Sequence, residues 1–132
     1  MFPVKNKAFL LLSALLLIIA DAFAQKAFEA IYYHGKAQNI TVRLLLADGY
    51  ISGSEIKTTD NRTHKTAVFT PDIGVPDEQK QIRFTHFSKT GKAFTDYFIL
   101  QGMEEVYATP PVSINGRYYT HGRGYKVVLK RR

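Results

Sequence analysis

Ile40, Val42, Leu44 and Leu46 fall on every second residue, so an extended backbone turns all four to one face. Thr41, Arg43 and Ala47 occupy the opposite face, with Leu45 the exception. Wound as a helix, the same residues scatter around the cylinder, and Ile, Thr and Val are indifferent helix formers. Asp48-Gly49 then supplies a two-residue hairpin turn, and residues 50–58 are predicted as the return strand. The segment 38–58 therefore reads as a β-hairpin.

Alternation recurs along the rest of the chain. Residues 28–34 are predicted as a first strand, closed by Gly35. The run 59–62 (TDNR) has turn chemistry, and 64–70 is strand-like around Val68 and Phe69. Residues 71–79 hold two prolines, a glycine and three acids and are predicted as a loop. Ile82, Phe84 and His86 alternate with Arg83, Thr85 and Phe87. A Thr90-Gly91 turn leads to Phe94, Phe98 and Leu100, interleaved with Thr95, Tyr97 and Ile99. Both faces of that segment are apolar, which suits a central or barrel position. Pro110-Pro111 breaks the chain, and Asn115-Gly116 is the second strong hairpin signal. Gly122-Arg123-Gly124 precedes a last strand in which Tyr125, Val127 and Leu129 share a face.

The pattern predicts an all-β fold, a small antiparallel meander of seven to nine strands forming a barrel or a sandwich. Tight connections favour an up-and-down order, and closure would remove aggregation-prone edges.

The start of the chain is different. Lys5 and Lys7 precede a thirteen-residue run at 8–20 that is almost wholly apolar, followed by Ala22-Phe23-Ala24. These are the three parts of a secretory signal peptide, and the run is shorter than the roughly 20 residues a spanning helix needs. Residues 1–24 are therefore expected to be cleaved, leaving 25–132 as a single β domain without a transmembrane segment. The expected location is secreted or periplasmic. The chain has no cysteine, which excludes disulfides, thiolate metal sites and a cysteine nucleophile. An exported domain without disulfides fits a bacterial envelope.

Charge is uneven. Residues 25–105 hold ten Lys/Arg and ten Asp/Glu, whereas 106–132 hold six Lys/Arg and no acid. Such a basic end attracts anionic surfaces, glycans among them, although a solvated, charged last strand has the same composition. Nucleic acid is not an expected partner.

Candidate chemistry is sparse. His34, His64, His86 and His121 show neither His-x-His nor His-Glu-x-x-His spacing. Ser52, Ser54, Ser88 and Ser113 lack a nucleophile elbow. Asp48 or Glu55 paired with Asp96 offers two carboxylates, and Asp72, Asp77 and Glu78 lack calcium-loop spacing. No catalytic residue, metal site or cofactor is assigned.

Tyrosines are the stronger resource. Tyr32 and Tyr33 belong to the first strand, and Tyr118, Tyr119 and Tyr125 to the last two. In a closed meander those strands are neighbours, which brings Arg117 and Arg123 to the same seam. Tyr32, Tyr33, Tyr118, Tyr119, Arg117 and Arg123 are thus the expected ligand-binding residues, through stacking and charge-assisted hydrogen bonds. The same aromatics also build sheets.

Three functions fit. The first is an exported, non-catalytic binding or interaction domain for a hydrophobic or amphipathic ligand or a partner protein. The second is an envelope-associated protein docking on anionic surfaces through its basic C-terminal strand. The third is a small hydrolase or a metal-dependent enzyme in which His64 and another histidine converge.

Overall fold

The computed structural model describes residues 10–14 and 28–132. The expected leader, residues 1–24, lies outside the described residues except for 10–14. Among the described residues no helix is long and apolar enough to cross a membrane.

Eight antiparallel strands close into a barrel in sequence order. They are β1 (Glu29–Ala37), β2 (Ile40–Asp48), β3 (Glu55–Asp60), β4 (Thr66–Pro71), β5 (Ile82–His86), β6 (Tyr97–Leu100), β7 (Ser113–Thr120) and β8 (Arg123–Arg131). Each pairs with the next, and β8 returns to β1 with Tyr33 opposite Arg131 and His34 opposite Lys130.

Alternation produces the core. Val42, Leu44 and Leu46 of β2, Ile82 and Phe84 of β5, Phe98 and Leu100 of β6, and Val127 and Leu129 of β8 are all buried. Phe69 packs edge-on to Phe98 at 4.8 Å, and Phe98 stacks on Tyr118 at 4.6 Å. Side chains fill the interior, as expected for an eight-stranded barrel.

Several predicted boundaries move, each for a local reason. β1 runs through Gly35 to Ala37 because the glycine lets the neighbouring strand approach. A Cβ there would collide with the Val128 carbonyl of β8. Asp48-Gly49 does not make a two-residue hairpin, since residues 49–54, including a 3-10 turn at Ile51–Gly53, separate β2 from β3. Both residues instead hold the 101–112 loop. Gly49 N donates to the Glu105 carbonyl at 3.1 Å, and the Asp48 carboxylate accepts from Tyr107 N at 2.8 Å. The tight turn is Gln38-Asn39, with Gln38 at φ 56°.

The TDNR turn shifts to 61–65. Asp60 ends β3, and its carboxylate accepts from the Arg62 and Thr63 amides at 2.8 and 3.1 Å, which holds its carboxyl below the usual range. Phe94 lies in the 87–96 connection, not in the strand, which begins at Tyr97.

Asn115-Gly116 lies inside β7, and the chain turns at His121-Gly122, both with positive φ. A Cβ on Gly116 would meet Leu100 Cδ2 at 2.6 Å and the Ile99 carbonyl oxygen at 2.7 Å. The residue serves close approach of β6 and β7, not a turn.

Gly116→Ala is expected to lower the unfolding free energy in urea by about 1–3 kcal/mol, because a methyl group overpacks a site bounded by backbone. Asn115→Thr, on the exposed face of a strand, should stay within about 0.5 kcal/mol of the parent. Were 115–116 a turn with positive φ, the β-branched threonine would be the costlier change.

Candidate functional site at the mouth of the barrel

The two ends of the barrel are built differently. One is plugged by the 101–112 loop and the 3-10 turn. Met103 and Ile51 are buried there, and the Met103 amide donates to the Lys80 carbonyl at 2.8 Å. Tyr107 Oη accepts from Glu104 N at 3.0 Å and donates to the Gly102 carbonyl at 3.2 Å. Burial of the Tyr107 phenol pushes its pKa up.

At the other end the 38–39 and 121–122 connections are two-residue turns, too short to cover the opening. The 61–65 and 87–96 connections flank it, and 87–96 returns two side chains, Phe94 and Asp96, to its rim. His86 ends β5 on the inward-facing parity of Ile82 and Phe84, which directs its ring to the mouth. Its Nδ1 lies 2.8 Å from Asp96 Oδ1, and Tyr118 Oη donates to Asp96 Oδ2 at 2.7 Å. Phe94 stacks on the imidazole at 3.8 Å and 8°, and Phe69 lies 4.8 Å from it. The His86 and Asp96 side chains keep only 13% and 19% exposure.

This arrangement has a defined chemistry. A carboxylate beside Nδ1 favours the Nδ1–H form, leaving Nε2 as an acceptor in the neutral ring or a donor in the charged one. No hydrogen bond engages Nε2 among the described residues. None of their buried polar side-chain atoms lacks a partner, so Nε2 reaches solvent. Burial, and then the hydrogen bond and charge of Asp96, push the Tyr118 phenol well above its usual range. Tyr118 is therefore a neutral donor, fixed on Asp96.

Tyr118 also lines a pocket of about 170 Å³ with Ala37, Ile40, Asp60, Thr120 and Tyr125. That is smaller than a typical drug-sized site of roughly 300–1,000 Å³ and matches a single side chain or part of a sugar ring.

The six residues expected to bind ligand are distributed by strand parity. Tyr33 points inward, is buried, and donates to the Pro111 carbonyl at 2.7 Å, bracing the plugged end. Tyr32, its neighbour, is exposed on the outer face of β1. Tyr118 points inward at the mouth, whereas Tyr119 stacks on Tyr97 outside at 4.9 Å. Arg117 is exposed on the outer face of β7 opposite Lys126, and Arg123 is exposed beside the β7–β8 turn. The seam makes β1, β8 and β7 neighbours, but adjacent tyrosines cannot share a face. Among the described residues no three His, Asp or Glu side chains gather to hold a metal.

His86 and Asp96 were not paired by sequence reasoning, since ten residues and a loop separate them. The available signal was parity: His86 continues the inward set of Phe84, and Asp96 abuts an apolar strand.

Removing the Tyr118 hydroxyl should leave a signature in alkali. Its folded pKa exceeds the unfolded value of 10.0. The resulting stabilisation is complete below about pH 10 and is lost as pH rises above it. Urea unfolding between pH 8 and 11 is therefore expected to show a shallower alkaline decline for Tyr118→Phe than for the parent. Identical declines would mean that Tyr118 is not shielded.

No protein-family model, curated protein or solved structure matches the chain significantly, and the functional reading rests on the chemistry of the mouth.

Proposed function

We propose that the chain is an exported, non-catalytic recognition domain. It seats a side-chain-sized polar or amphipathic group, carried by a small ligand or by a partner protein, at the open mouth of the barrel. The observation that carries this reading is the Tyr118–Asp96–His86 relay, in which only Nε2 of His86 is left to bond, with the pocket on the other side of Tyr118. Phe94, 41% exposed over the imidazole, offers an apolar face beside that polar atom. An apolar wall with a few fixed polar groups is the usual make-up of a ligand site.

The filled interior weighs against carriage of a ligand inside the barrel. Against hydrolysis stands the absence, among the described residues, of any hydroxyl hydrogen-bonded to His86, since a nucleophile needs an adjacent base. Export rests on the charged start and short apolar run of the first 24 residues.

Amide chemical shifts recorded while adding phenyl β-glucoside, and separately N-acetyl-phenylalanine amide, test the reading. Perturbations are expected at 37–40, 58–60, 94–97 and 118–125, and they should collapse in His86→Ala. Shifts centred on the plugged end, or none at millimolar probe, would overturn it.

A further inference from the structure

We propose that the outer face of β3, β2, β1 and β8 binds a linear anionic glycan along a row formed by Lys57, Arg43, His34 and Lys130. The row follows directly from the strand register. Lys57 lies opposite Arg43, Arg43 opposite His34, and His34 opposite Lys130. All four side chains are exposed. Neighbouring strands are about 4.8 Å apart, so the row spans roughly 14 Å across the strands.

Like charges directly opposite one another on adjacent strands destabilise a sheet. Two of the row's members, Lys57 and Arg43, are such a pair, and His34 joins them when protonated. Glu55 lies 3.5 Å from the Lys57 ammonium and is the only carboxylate at ion-pair distance from the row among the described residues. Nothing in the packing requires cations there, because outward positions touch no core. A counter-anion supplied by a ligand relieves the repulsion that the fold leaves in place.

The shape of the row selects the ligand. It runs along the hydrogen-bonding direction of a closed, convex barrel, so its side chains splay around the curve. A flat anionic surface meets only part of such a row, whereas a flexible chain of anionic units can follow it. Tyr32, 53% exposed two residues from His34 on the same face of β1, adds a ring on which a sugar can stack. The choice of glycan over nucleic acid rests on the export reading above. The row itself does not depend on the mouth.

The test compares three forms of the full chain. They are the parent, the row variant Lys57→Gln/Arg43→Gln/Lys130→Gln, and an equal-charge control, Arg62→Gln/Lys65→Gln/Lys89→Gln, altered at exposed positions away from the row. Titration with a heparin oligosaccharide at low salt should give about a tenfold weaker Kd for the row variant and less than about a twofold change for the control. Equal losses in both variants would reduce the effect to net charge and overturn the site. A single-stranded DNA of matched charge, bound by the parent as tightly as heparin and lost with the same residues, would overturn the glycan assignment. So would tighter binding to phosphatidylglycerol-containing vesicles than to heparin, measured against phosphatidylcholine vesicles to remove any apolar contribution. Mouth shifts with phenyl β-glucoside are read on the row variant as well. Failure of the row and failure of the mouth are thereby separate results.

Discussion

The fold depends on the seam where the last strand returns to the first. β1 and β8 meet over a short register, and Gly35 lies where any side chain would strike the Val128 carbonyl. Without that contact both nine-residue strands would be free edges, with rows of unpaired amides and carbonyls. Closure also fixes what lies inside. Eight strands enclose a space that side chains just fill, so the inward residues of all eight become one core. One bond beyond the paired residues extends the seam: Arg132 N donates to the Tyr32 carbonyl at 3.0 Å, while Arg131 N turns the other way, to the Val112 carbonyl ahead of β7, at 2.9 Å.

A filled barrel confines recognition to its ends and its outer wall. The plugged end commits several polar groups internally: Tyr33 on Pro111, Tyr107 on Gly102 and Glu104, and Asp48 on the Tyr107 amide. These bonds hold a long loop in place. At the mouth the bookkeeping differs by one atom. Asp96 satisfies two donors, Tyr118 is committed, and the imidazole remains with one nitrogen facing water. Phe69 and Phe94 on the ring limit its motion, so that the nitrogen is presented in a fixed direction, which lowers the ordering cost of binding.

Period-two alternation made the β class, the strand number and the meander legible in the amino-acid sequence, because hydrophobic burial acts on each strand separately. Turn positions were less legible. Asn115-Gly116 carries the strongest short hairpin signal, yet its glycine answers to a neighbouring strand that sequence adjacency does not show. Asp48-Gly49 likewise answers to a loop more than fifty residues away. Conversely, the real turns Gln38-Asn39 and His121-Gly122 place non-glycine residues at positive φ, at 56° and 50°, which local propensity ranks low. The tyrosine pairs illustrate the same parity that revealed the strands. Tyr32-Tyr33 and Tyr118-Tyr119 look like clusters on paper, and alternation sends one of each pair to water. The mouth was not legible, since its three members come from β5, a loop and β7 and are joined only by the register of β5, β6 and β7.

The inward and outward positions carry different kinds of information. Inward residues are constrained by volume and polarity, so Leu44 or Phe84 says little beyond the need for a core. Outward residues on a closed barrel touch only water and their cross-strand neighbours, and the favoured neighbours there are opposite charges, threonines or aromatics. Thr41 and Lys36 obey that expectation, as do Tyr97 and Tyr119. Lys57 and Arg43 do not, and neither do Arg117 and Lys126, which face one another across β7 and β8. Cations set in register against the local preference cost stability without helping the fold. An anionic partner, as proposed for the row, would supply the missing counter-charge.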